Sequence, residues 1–69
     1  MKRGLLTENG ATILDFKHSW DDYIVICFRP NHPFDNFVTW KSDEEGNCWS
    51  GHYYSDLQIA VGDFVERIY

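Results

Sequence analysis

The stretch FVTWKSDEEGNCWSGHYYSDLQIAVGDF, residues 37–64, decides the fold, because the spacing of its apolar positions changes partway along from the period of a strand to that of a helix. Phe37 to Ser42 alternates, with Val38 and Trp40 on one face and Phe37, Thr39 and Lys41 on the other. Asp43-Glu44-Glu45-Gly46-Asn47 follows as a hairpin connection built on a type I turn, with Gly46 supplying the positive φ that closes it. Cys48 to Tyr54 is the partner strand, alternating Trp49, Gly51 and Tyr53 against Cys48, Ser50, His52 and Tyr54. The glycine inside it marks a bulge or the close approach of another group. Ser55 and Gln58 then form a capping box, with Tyr54 and Ile59 placed as a hydrophobic staple. Leu57, Ala60, Val61, Phe64 and Ile68 make one apolar stripe on a helix of about 13 residues. Gly62 falls in mid-helix at a cost of about 1 kcal/mol, which a close packing contact against an aromatic side chain would explain.

Upstream lie two further strands. Glu8-Asn9-Gly10 is a turn signal, and Ala11 to Lys17 is rich in β-formers, with Leu14 and Phe16 on one face and Ile13 and Asp15 on the other. Ser19-Trp20-Asp21-Asp22 is a tight reversal, since aspartate side chains bond nearby backbone amides. Tyr23 to Arg29 is the most apolar run in the chain, as expected of a central strand. Pro30-Asn31-His32-Pro33-Phe34-Asp35 must be a loop, because its prolines lack the backbone donor an interior strand needs. The expected fold is therefore α+β, a single domain over residues 1–69: an antiparallel four-stranded β-meander with one C-terminal α-helix packed across one face.

Composition narrows the function. Sixty-nine residues make one small domain in which a deep enclosed active site has little room. Six Lys and Arg against eleven Asp and Glu give a net charge of −5, which opposes direct contact with nucleic acid. The longest apolar run is far short of the roughly 20 residues that span a bilayer, and the N-terminus lacks the apolar core of a signal peptide. These point to a cytoplasmic protein with no membrane role, in which Cys27 and Cys48 are buried free thiols. His18, His32, His52, Cys27 and Cys48 show no metal-site spacing, so no metal or cofactor is expected. Cys48 and His52 would share a strand face at a separation of roughly 13 Å, too far for a nucleophile and its base.

Two excesses remain, acidic and aromatic. Asp43, Glu44 and Glu45 cluster at the hairpin tip, where carboxylates are either a solvated turn or a surface that imitates phosphate spacing toward a basic protein. Aromatic residues make up 17% of the chain, and one helix covers only one sheet face, so some must lie on the open face or meet a partner. Trp40 and Trp49 flank the same turn and are expected to face each other as a cross-strand pair. Candidate protein-binding residues are thus Trp40, Trp49, Asp43, Glu44, Glu45 and His52, with no catalytic residue among them.

Phe37-Val38-Thr39-Trp40, Gly46-Asn47-Cys48-Trp49, Gly51-His52-Tyr53-Tyr54 and Ala60 with Asp63-Phe64 and Arg67 together form a pattern. It resembles that of a family of small uncharacterised accessory proteins of conjugative transposons and related mobile elements of Gram-positive bacteria. The resemblance spans about half of the chain and implies a setting rather than an activity. Within it, Asp63 and Arg67 are spaced for an ion pair along the helix, and His52 for a hydrogen bond across the sheet. The expected function is a non-enzymatic interaction module that binds another protein or forms a homodimer. The alternative is an anti-defence inhibitor that mimics nucleic acid.

Overall fold

The computed structural model describes residues 2–4, 7 and 10–67. Glu8 and Asn9 of the expected first turn, and Ile68 of the apolar stripe, lie outside them. Four strands, β1 (Thr12–Ser19), β2 (Asp22–Phe28), β3 (Phe37–Ser42) and β4 (Cys48–Tyr54), pair antiparallel in meander order, and α1 (Leu57–Glu66) packs against β2, β3 and β4. The protein is α+β, as its periodicities require.

Each turn has a local cause. Gly46 takes φ +91°, and Asp43 organises the β3–β4 connection by accepting from the amides of Glu45 and Asn47, both at 3.0 Å, and from the Asn47 side chain at 2.9 Å. The β2–β3 loop is closed by the Arg29 amide donating to the Asn36 carbonyl at 2.8 Å. The helix is capped by Asp56, whose carboxylate accepts from the Gln58 amide at 2.8 Å. Ser55 does not cap it, so the expected box is displaced by one residue: Asp is at least as good a cap as Ser and stands where the backbone leaves the extended conformation. The helix runs 10 residues and buries Ala60 and Phe64.

Two bulges change which residues share a face. The β1–β2 register shifts at Leu14, so Ile13 and Phe16 point to the same side and Leu14 lies exposed, against the simple alternation expected. The β3–β4 register shifts where Ser50 and Gly51 together oppose Trp40, with Ser50 at φ +53°. Trp49 consequently pairs with Lys41 on the helix side, whereas Cys48 pairs with Ser42 on the other. Cys48 and His52 therefore lie on opposite faces rather than on one. Both edge strands carry a bulge, a device that blunts edge-to-edge pairing.

Each face of the sheet carries a core. Under α1 lie Ile24 and Ile26 with Phe37 and Tyr54 beside them. On the opposite side Ala11, Ile13, Val25, Cys27, Val38 and Trp40 form a second core, with Phe16, Tyr23 and Cys48 packed around it. The expected open sheet face is absent. It is closed by Trp40 itself and by an edge-to-face contact of Trp40 with Tyr53 at 6.3 Å, while Gly4 donates to the Ile13 carbonyl at 2.6 Å at the edge of β1. Gly51 makes this closure possible: a Cβ there would stand 2.5 Å from Nε1 of Trp40. Gly62, by contrast, has nothing within 4 Å among the described residues, so none of their aromatic side chains packs on it. Among the described residues both cysteines are free, Cys27 buried and Cys48 half-buried.

Candidate functional site

Where α1 stops, the helix side of the sheet continues without cover. Asp22, Lys41 and Trp49 project from its last rows, and with Ser19 and Trp20 of the β1–β2 hairpin they line an open cleft of about 260 Å³. Trp49 is 40% exposed and Trp20 is 77% exposed, so two indoles stand in solvent at one end of the molecule. An aspartate and a lysine lie between them.

Trp20 occupies its position at a conformational cost. Ser19 and Asp22 are the last paired residues, which leaves Trp20 and Asp21 as a two-residue hairpin loop. The first residue of such a loop needs a positive φ, ordinarily supplied by glycine or asparagine. Trp20 supplies it at φ +56°. A bulky side chain there is strained, and its own exposure shows that burial does not compensate.

The expected binding residues are dispersed. Trp40 is only 4% exposed and sits in the core, on the face opposite Trp49, so the anticipated cross-strand pair does not form. The reason is the Ser50 bulge, which inverts the alternation between them. At the hairpin tip Asp43 is held below the usual carboxylate range, chiefly by the Asn47 side chain. Glu44 is also lowered, first by a hydrogen bond from the Tyr23 hydroxyl, whose own titration that bond raises. Glu45 is exposed. The tip is thus partly committed to its own turn. Trp20, read from sequence only as part of a reversal, is the site residue that was missed. The available signal was a tryptophan where a two-residue hairpin asks for glycine.

A second constellation gathers the residues of the Gly-His-Tyr-Tyr and Asp-Phe-x-x-Arg segments. The fully buried Thr39 hydroxyl donates to Asp63, and His52 Nδ1 lies 3.1 Å from the same carboxylate. Burial raises the Asp63 pKa, but the hydrogen bonds from Thr39 and His52 and the charges of His52 and Arg67 outweigh it, and the net shift is downward. Tyr54 is raised, first by burial and then by Asp63. Arg67 donates to the Thr39 carbonyl at 2.9 Å, to the Thr39 hydroxyl at 3.0 Å and to the Ser50 carbonyl. The expected Asp63–Arg67 pairing along the helix is therefore replaced by two attachments to the sheet. His52 likewise reaches the helix rather than a neighbouring strand. These groups face one another, and their arrangement fastens the C-terminal end of α1 to β3 and to the bulge in β4.

Among the described residues no three His, Cys, Asp or Glu side chains are grouped as a metal site, and no helix is long and apolar enough to cross a membrane. No protein-family model matches the chain, and comparison with curated proteins and with solved structures likewise finds no match.

Proposed function

We propose that this chain is a non-enzymatic protein-interaction module, an accessory protein of a mobile genetic element acting in the cytoplasm, and that it holds its partner in the cleft between Trp20 and Trp49. The observation that carries this is Trp20: an indole 77% exposed and held at φ +56° in a turn that glycine would relax. Strain of this kind persists at binding sites, and tryptophan is the side chain most enriched among interface hot spots. Covering the exposed parts of both indoles removes about 180–290 Å² of largely apolar surface, about 4–7 kcal/mol before the costs of ordering. The net charge of −5 favours a protein partner over nucleic acid and opposes self-association. Mimicry of nucleic acid by the hairpin tip draws less support, because Asp43 and Glu44 accept hydrogen bonds from within the fold.

The test separates the fold from the cleft. Trp20→Gly should melt at or above the temperature of the parent protein, since it relieves a left-handed backbone at an exposed site, with a gain of up to about 1 kcal/mol. The same variant, and Trp49→Ala, should lose the partner that the parent chain retains from a lysate of its host. Retention of that partner by both variants refutes the assignment.

A further inference from the structure

Helix α1 has an outer surface that neither the core nor the cleft uses. Of its 10 residues only Gln58, Asp63 and Glu66 are polar. Leu57, Ile59, Val61 and Val65 are between 43% and 65% exposed. Leu57, Val61 and Val65 recur every fourth residue and so form one ridge, the element that interlocks when two helices pack. Gly62 lies on the outer surface beside this ridge, and among the described residues nothing comes within 4 Å of a Cβ placed there, so no contact among them accounts for a glycine that weakens the helix. A bare backbone at that point lets another helix come close.

Charge selects the occupant. The surface is bounded by Asp56 at the N-cap and Glu66 in the last turn, where a carboxylate opposes the helix dipole and the turn itself carries no basic residue. Of the nearby cations, Lys17 is held against the last turn of the helix, where Nζ donates to the Val65 carbonyl at 3.0 Å and lies 5.2 Å from the centre of the Phe64 ring, so it offsets one of the two carboxylates, while Arg67 is bonded to Thr39 and Ser50. A second copy packed antiparallel would set Asp56 of one chain against Glu66 of the other. We infer that the Leu57–Val61–Val65 ridge, with the bare backbone at Gly62, is a docking site for an amphipathic helix of a partner protein whose apolar stripe is flanked by lysine or arginine. This surface is distinct from the tryptophan cleft, and its occupation does not depend on that assignment.

The test is selection of helical peptides, displayed as a library randomised at the stripe and its flanks, against the full-length chain. Enriched peptides should carry apolar residues at helical spacing between basic flanks. The affinity of the best should fall at least tenfold with Val61→Ser/Val65→Ser. Gly62→Leu places its side chain in open space, so it should leave the fold and thermal stability intact while weakening the same peptide at least tenfold. The proposal is overturned if no helical peptide is enriched, if the winners have acidic flanks, or if binding survives Gly62→Leu. It is also overturned if light scattering reports a dimer of the parent chain that Val61→Ser/Val65→Ser dissolves, because the ridge would then belong to a second copy.

Discussion

Replacing Gly51 by alanine tests the packing on which the second core depends. The new methyl would stand 2.5 Å from Nε1 and 2.8 Å from Cδ1 of Trp40, and 2.7 Å from the Tyr53 hydroxyl. Non-bonded carbon contacts settle at about 3.5–4.0 Å, so the shortfall is about 1 Å. Tyr53 is half exposed and can swing its hydroxyl away, but Trp40 is packed against Ile13, Val25, Cys27 and Val38 and cannot move without disturbing them. Overpacking of a filled core costs about 1–3 kcal/mol. Gly51 is not in the left-handed region, so alanine also gains about 0.4–1 kcal/mol by restricting the unfolded chain. The net expectation is a loss of about 1–2 kcal/mol, which for a domain of this size lowers Tm by about 5–15 °C. Thermal and urea denaturation followed by circular dichroism measure it. A double-mutant cycle with Trp40→Phe sharpens the test, because phenylalanine removes the indole edge that Gly51 accommodates. In that background the cost of Gly51→Ala should shrink by about 1 kcal/mol or more. An alanine variant as stable as the parent, or a cycle whose effects simply add, would refute the claim that the bare backbone at Gly51 makes room for the indole.

Three further outcomes follow from the same contacts. Asp56→Ala should cost about 1 kcal/mol by removing the helix cap, whereas Ser55→Ala should stay within about 0.5 kcal/mol; urea unfolding of the pair distinguishes them, and the reverse order would restore Ser55 as the cap. The Asp63 carboxyl titrates below its unfolded value of about 3.9, so its stabilisation is complete above that pH and is lost as pH falls through the folded value. Melting temperature should accordingly drop below about pH 4, and Asp63→Asn should flatten part of that slope; an unchanged slope would mean that Asp15, Asp43 and Glu44, also lowered, carry all of it. Burial pushes the Cys27 thiol up to about 12, so iodoacetamide at pH 8 should modify Cys48 first and reach Cys27 only on unfolding, as peptide mapping by mass spectrometry would record. Equal rates in the native protein would contradict the burial of Cys27.

Much of the fold is local in origin and was legible in the sequence. The change of period between residues 37–54 and 57–64, the turn at Gly46 and the proline loop set the element order and the bounds of β3 and β4, because each depends on residues a few positions apart. The polar fastening of α1 was half legible: His52, Asp63 and Arg67 stood out, but Thr39, on which Asp63 and Arg67 converge, did not. What only the tertiary structure decided was the face on which side chains fall. Alternation has a period of two, so one extra residue in a strand reverses every assignment beyond it. The bulge in β4 was flagged by Gly51, but the position at which a strand takes its extra residue, there and at Leu14, is fixed by its pairing with the neighbouring strand. They separate Trp40 from Trp49, sending the first into the core and the second into the cleft with Trp20. Composition announced a surplus of aromatic side chains, and register determined which of them remain outside.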